Sequence, residues 1–389
     1  MSEWKECKLG DVAKLINGFA FKGSDFLNSG VPVIKIKNVK PGKILLDNLS
    51  YVSVLIASEK EKYLINSSDI LITMSGNRSD GSPDSWVGKV SLFKVKGQYL
   101  LNQRVGILRP IINPISIEYL AFLLSSMEYQ QHFINLANSS GGQANISPET
   151  ILNTKIELPS LAEQRAIAGV LSSLDDKINL LHRQNKTLEG MAEALWRKMF
   201  VEDAKNLKIV NLGEIIEIHD SKRIPLSSMQ REKMKDGVLY PYYGAATVMD
   251  YINRFIFEGE YLLLGEDGTV ETDDGFPVLQ LATGKFWVNN HTHVLRAKKP
   301  FSNFLLYIIL RNTNITHIVT GAVQPKINQE NLKSLEISSV RDITVNELSV
   351  VADNFWQKIQ ANNFHIRTLS HLRDTLLPKL MSGEVRVKL

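Results

Sequence analysis

The chain repeats itself, and any fold proposed for it must accommodate two copies of one unit. SGGQANISPETILNTKIELPS at 140–160 aligns with TGAVQPKINQENLKSLEISSV at 320–340. An offset of 181 carries Gln143 to Gln324, Ile146 to Ile327, Glu149 to Glu330 and Ile156 to Ile337. The same offset continues through Lys177–Ile178 on Lys358–Ile359, Leu195 on Leu376 and Lys198 on Lys379. Upstream the match persists at drifting offsets. Leu9-Gly10-Asp11 resembles Leu212-Gly213-Glu214, and LNQRVGILRP at 101–110 resembles VNNHTHVLRA at 288–297. Drift of this kind means that the strands correspond while the loops between them differ in length.

Each copy has two parts. The first is a block of short β-like runs (Val31–Ile36, Ile70–Thr73, Lys89–Val95 in the first copy) broken by Gly, Pro, Asn and Asp. One helical stretch lies inside it, Ile117–Ser125 in the first copy and Ser302–Leu310 in the second. The second part is a helix of about 40 residues. The first such helix opens on the capping box Ser160-Leu-Ala-Glu163, directly after Pro159. The second carries the same pattern at Thr344-Val-Asn-Glu347, three residues later in the repeat register, so the two starts are expected to differ.

A 4-3 spacing runs along both helices. In the first it touches Ile167, Leu171, Leu174, Ile178, Leu181, Asn185, Leu188, Ala192, Leu195 and Met199, nine of ten apolar. In the second it touches Leu348, Ala352, Phe355, Ile359, Asn362, Ile366, Leu369, Arg373, Leu376 and Leu380, eight of ten. A sustained 3.5 period fits a coiled-coil partner. Asn185, Asn362 and Arg373 interrupt the stripe; they fix register, sit at an exposed edge or bind another subunit. The second block joins the end of helix one to the start of helix two, and compact domains have neighbouring termini, so the helices are expected to run antiparallel. The expected fold is α+β: two similar heads in tandem repeat, joined by two long antiparallel helices forming a coiled-coil-like rod. The expected divisions are a head at 1–159, a helix at 160–200, a head at 201–340, and a helix and tail at 341–389. Ile167 to Met199 spans about 48 Å at 1.5 Å per residue, or about 14 base pairs of B-DNA at 3.4 Å each. Two heads so spaced could read two half-sites across a fixed gap.

Composition excludes more than it selects. A formal net charge of +4 over 389 residues divides as +3, +1, −2 and +2 over those four segments, so no segment has the strongly basic balance of a non-specific nucleic-acid binder. The single cysteine, Cys7, rules out an intramolecular disulfide and a Cys-based zinc site, and makes a reducing, cytoplasmic compartment the default. The longest apolar run, Phe304–Leu310, is far short of a membrane span.

Catalytic motifs are missing. Gly76-Asn-Arg-Ser-Asp-Gly81-Ser82 has the glycine spacing of a P-loop but no lysine. No Asn/Asp-Pro-Pro-aromatic tetrapeptide is present, and Glu6-Cys7-Lys8 lacks the metal-binding Asp that should precede a nuclease E-x-K. His291 and His293 alternate on an expected strand and share its face; hydrogen bonding or DNA contact is the favoured reading over zinc. No catalytic residue and no metal ligand is assigned. Candidate DNA contacts are polar side chains on loops next to strands: Asn77, Arg78, Gln103, Arg104, Gln143 and Asn145 in head one, and Lys222, Arg223, His291, His293, Gln324 and Lys326 in head two. The equivalent Gln143 and Gln324 are either readers or parts of a structural loop common to both heads.

LPSLAEQRAIAGVLSSLDDKINLLHRQNKTLE at 158–189 resembles the central conserved region of the specificity subunits of type I restriction–modification enzymes. LLPKLMSGEVRV at 376–387 resembles the end of their second conserved region, and GEDGTV at 265–270 and WVNNHTHVLR at 287–296 resemble segments of their target-recognition domains. The resemblance implies a non-catalytic, sequence-reading subunit whose two heads read the halves of an asymmetric bipartite DNA site. It implies two methyltransferase subunits and further restriction/translocase subunits as partners, with S-adenosylmethionine, ATP and Mg held by those partners and no cofactor here. Glu163, Gln164 and Arg165 are then candidates for partner contact, and the second copy lacks this triplet. A structural coiled-coil scaffold without DNA specificity is the competing expectation.

Overall fold

The computed structural model describes residues 4–78, 82, 85–111, 115–140, 143–202, 207–321, 323–339 and 342–388. Two compact units emerge: residues 1–179 with 367–389, and residues 180–366. Both cuts fall inside the long helices, Leu161–Arg197 and Asp342–Met381, so part of each helix belongs to the core of each unit. The expected boundary at 340/341 lies outside the described residues. No helix among the described residues is long and apolar enough to cross a membrane.

In the first unit Lys5–Lys8 pairs antiparallel with Lys155–Leu158, bringing Cys7 opposite Ile156. The turn Leu9–Val12 leads into a four-stranded sheet in the order Ala13–Asn17, Val105–Pro110, Ile70–Thr73, Val90–Leu92. A second sheet holds Leu100–Leu101, Val31–Ile34 and Ser50–Val52. The helix Ile117–Ser125 is capped by Ser116, whose hydroxyl accepts from the Tyr119 N–H. Tyr119, Leu120 and Leu124 from this helix pack with Ile70, Ile72, Ile167, Leu171, Leu380 and Met381 in one core. Burying a side chain of this kind is worth about 1.5–3 kcal/mol, so the seam of the long helices is continuous with the head. Here the helices run antiparallel: Asp175 meets Arg373 at 2.8 Å, and Glu163 meets Arg386 at 2.8 Å.

The second unit repeats the plan. Lys208–Asn211 pairs with Glu336–Ser339, the turn Leu212–Ile215 follows, and the sheet runs Ile216–Ile218, Thr292–Ala297, Phe257–Gly265, Leu279–Val288, Tyr240–Tyr243, Val248–Ile252. Ser302 caps the buried helix Asn303–Arg311. Its core includes Ala192, Val345, Ala352 and Ile359 of the long helices and Phe200 of the π-helical turn Lys198–Glu202 that follows the first, with Leu188, Met199, Leu348 and Phe355 partly buried against it.

None of the expected seam positions is exposed: Leu174, Leu195, Ile366, Leu369 and Leu376 are half-buried, and Ile178 and Leu181 are buried. The polar interruptions are paired within the chain. Asn362 Nδ2 donates to Asn185 Oδ1 at 2.8 Å, and Asn185 Nδ2 donates to Asn363 Oδ1 at 2.8 Å. Arg373 donates to Asp175 and Asp374.

Two expectations about helices need correction. The second long helix opens at Asp342, so Thr344 lies within its first turn and is not its cap. At the repeat offset Asp342 falls on Leu161, the first residue of the other helix; the residues just before Asp342, 340–341, lie outside the described ones. Val345 is fully buried in the core, and packing here overrides the local capping signal. Head one also has internal helices that were not expected: Met127–Leu136, capped by Ser126, and the shorter Val54–Glu59 and Pro148–Leu152.

Candidate nucleic-acid interface

The polar candidates of head one lie where the Ile70–Thr73 strand ends, beside the turn that enters Val105–Pro110. Ser75–Gly76 pairs antiparallel with Gln143–Asn145, setting Asn145 opposite Ser75. Arg104 Nη1 donates to Asn145 Oδ1 at 2.5 Å and to Ser75 Oγ at 3.0 Å, and the Ser75 hydroxyl donates to Asn145 Oδ1 at 2.6 Å. Arg104 is exposed while Ser75 is fully buried. Arg104 also holds a backbone φ of 71°, unusual for a residue with a side chain. Gln103 and Gln143 are exposed on the flanks. Asn77 Nδ2 donates to Ser85 Oγ at 3.1 Å, and Arg78 Nη2 to the Ala137 carbonyl at 2.6 Å, so both are anchored to neighbouring loops. The P-loop-like glycine run falls partly on 79–81, outside the described residues.

The corresponding part of head two is built on a buried carboxylate. Asp220 Oδ2 accepts from His293 Nδ1 at 2.6 Å and Gln329 Nε2 at 2.7 Å, and its Oδ1 accepts from the Val294 N–H at 2.9 Å. Burial pushes this carboxyl up, but the His293 hydrogen bond and charge, the Val294 N–H and Arg223 outweigh it and hold the group below the usual carboxylate range. Arg223 Nη1 donates to Glu266 Oε2 at 2.5 Å and to the Thr292 carbonyl at 2.7 Å, and its Nε to the Asp220 carbonyl at 3.0 Å.

This geometry corrects two candidate readers. His293 is 0% exposed, with both ring nitrogens engaged, the second at 2.8 Å from the Ile327 carbonyl. It braces the strand and cannot reach a base. The Arg223 side chain is 12% exposed; its Nη1 and Nε donate to in-chain acceptors and its Nη2 lies 3.6 Å from Asp220 Oδ2, so it is a strut. The expected shared face of His291 and His293 is also absent: His291 sits in the turn before Thr292–Ala297, 48% exposed, with Nδ1 at 2.5 Å from Asp267 Oδ1. Lys222 and Gln324 are exposed. Lys326 is half exposed, with Nζ 3.7 Å from Glu266 Oε1.

Asp220, Glu266 and His293 bring three potential ligand atoms within 4.8 Å of one another. The Arg223 guanidinium occupies the same space and donates to Glu266, so hydrogen bonds already fill this donor set, and it does not fit a cation.

The partner-contact candidates divide. Glu163 and Gln164 are buried and cannot form a docking face, which corrects that expectation. Glu163 accepts from Arg386 at 2.8 and 3.0 Å, pinning the C-terminal tail. Gln164 Oε1 accepts from the Ser116 N–H, and its Nε2 donates to the Pro159 carbonyl. The second unit does the same job with Ser349, whose hydroxyl accepts from the Ser302 N–H and donates to the Pro300 carbonyl. Only Arg165 of the triplet is exposed. Sequence reasoning missed Ser75 and Asp220, and read Glu266 and Asp267 only as part of a solvated acidic turn; all four orient the candidates.

The family model for the type I restriction modification DNA specificity domain matches residues 1–190 and again 204–340. A specificity subunit ascribed to the type I restriction enzyme MjaX of Methanocaldococcus jannaschii is 24% identical over 414 residues, covering 99% of this chain and 94% of that protein. The specificity subunit of type I restriction enzyme MjaIX from the same organism is 25% identical over 309 residues, 70% of this chain and 69% of that one. The crystal structure of a type I restriction-modification system S subunit from M. genitalium superposes with a TM-score of 0.63 at 15% identity, covering 99% of this chain and 96% of that one. The last likeness is one of fold alone. With one matched domain in each repeat, the chain belongs to the family of type I restriction–modification specificity subunits and carries two target-recognition domains.

Proposed function

We propose that this subunit is non-catalytic and directs partner enzymes to an asymmetric bipartite DNA sequence, each head reading one half. The observation that carries this reading is the repetition of one fold with different polar side chains at its exposed loops. A duplicated scaffold that served docking alone would have no need to vary Arg104 into His291, or Asn145 into Lys326. Methyltransferase subunits, and restriction/translocase subunits beyond them, supply S-adenosylmethionine, ATP and Mg chemistry. The long helices set the gap between half-sites, and Arg165 with the exposed helix faces is available to partners. The work of the complex takes place inside the cell.

The test is methylome sequencing of a host carrying this chain with its methyltransferase partner. It should reveal one bipartite motif, two short half-sites around a fixed gap, that disappears when this gene is deleted. A motif that persists without the gene would refute the proposal.

A further inference from the structure

The two heads share a backbone frame that the sequence repeat aligns only in part: it sets Arg104 on His291 and Asn145 on Lys326, and leaves Ser75 without a counterpart. In head one the Met74 N–H donates to the Arg104 carbonyl at 2.8 Å, and the Ile146 N–H to the Met74 carbonyl at 3.0 Å. In head two the Glu266 N–H donates to the His291 carbonyl at 2.9 Å, and the Ile327 N–H to the Glu266 carbonyl at 2.9 Å. The strand registers agree: Val105 faces Thr73 as Thr292 faces Gly265, and Asn145 faces Ser75 as Lys326 faces Asp267. Ser75, Arg104 and Asn145 therefore occupy the same three places as Asp267, His291 and Lys326. The frame is constant and its chemistry is not.

We propose that these three places form the base-reading centre of each head, with Arg104 and His291 as readers and Ser75 and Asp267 as positioning residues. The inference rests on the reading of the heads as target readers and names where they read. In head one, Arg104 spends Nη1 on Ser75 and Asn145. Its Nε and Nη2 make no hydrogen bond among the described residues, which leaves a planar two-donor edge. That edge matches the O6 and N7 acceptors of a guanine in the major groove. Ser75 accepts from Arg104 while donating to Asn145, so one buried hydroxyl fixes the guanidinium plane. In head two a carboxylate replaces that hydroxyl. A carboxylate only accepts, so His291 Nδ1 carries the hydrogen toward Asp267, and Nε2 makes no hydrogen bond among the described residues. A lone imidazole nitrogen beside the Lys326 ammonium cannot make the two-donor contact, so head two reads a different base pair.

The experiment is methylome sequencing, paired with selection from a randomised duplex pool, for the assembled complex carrying parent, Arg104→Gln, Ser75→Ala or Ser75→Thr. Arg104→Gln should lose guanine preference at one position of one half-site by about 5- to 150-fold, the equivalent of 1–3 kcal/mol. Ser75→Ala should relax the same position, and Ser75→Thr, which keeps the hydroxyl, should restore it. The other half-site stays unchanged and reports that the complex has assembled. An unchanged motif in Arg104→Gln and Ser75→Ala overturns the proposal; so does a uniform loss of binding to every sequence, which marks a folding role. If the parent itself yields no gene-dependent bipartite motif, the broader reading of the subunit has failed instead.

Discussion

Replacing Asp220 with Asn tests whether head two is held together as described. The carboxylate is nearly inaccessible and accepts from His293, Gln329 and the Val294 N–H, with Arg223 Nη2 at 3.6 Å. The amide keeps the shape but offers one acceptor oxygen and turns two N–H bonds toward groups that themselves donate. Breaking a buried charge pair while its partners stay in place costs about 3–5 kcal/mol. A unit of this size loses about 2–4 °C per kcal/mol, so its melting temperature should fall by about 6–20 °C. Hydrogen exchange localises the loss: amides of Thr292–Ala297 should lose protection, while those of Ile70–Thr73 in head one keep theirs. The pH dependence has a definite sign. Asp220 ionises more readily folded than unfolded, so its contribution is complete above the ordinary carboxylate range and fades as pH falls through the lower folded value. The parent-minus-variant difference should be full at neutral pH and shrink below about pH 4. A destabilisation under about 1 kcal/mol, or a difference that grows on acidification, would refute this account of the cluster.

Other outcomes follow from the same geometry. Glu163→Gln strips Arg386 of its buried partner, and limited proteolysis should cut the tail at 382–388 several-fold faster. Asn185→Leu alone should destabilise by about 1–3 kcal/mol in denaturant titration, because Asn362 loses its acceptor inside the seam. Asn362 Oδ1 already lacks a partner among the described residues, so adding Asn362→Leu should recover much of that loss. Leu171→Ala, at a fully buried seam position in the core of head one, should cost about 2–5 kcal/mol. The purified chain should show no methyltransferase, nuclease or ATPase turnover in radiometric and coupled assays; turnover in a partner-free preparation would contradict its assignment as a reader alone.

The repeat, the helical stretch at Ile117–Ser125 and the long helices were legible because each depends on local spacing. Ser116 and Ser302 cap equivalent helices, and a 3.5 period survives even where Asn185 and Arg373 interrupt it. Thr344 misled because a local cap was weighed without the burial of Val345. His291 and His293 misled because alternation holds only inside a strand, and His291 stands in the turn before one. The frame shared by Ser75 and Asp267 was hidden because loops of different length break the offset, and only backbone hydrogen bonds restore the correspondence. Glu163 and Gln164 stood as partner-contact candidates on the family resemblance, which says nothing of their burial. Their partners, Arg386 and Ser116, are respectively 223 and 48 residues away in sequence, beyond the reach of any local pattern.

The claim that two autonomous heads specify two half-sites is tested most directly by a chimera. Residues 201–340 are replaced with the corresponding head of a related subunit, and the methylation motif is read in a host supplying the partners. The account predicts that one half-site changes entirely while the other half-site is retained base for base. A motif in which both halves change, or neither does, would contradict it.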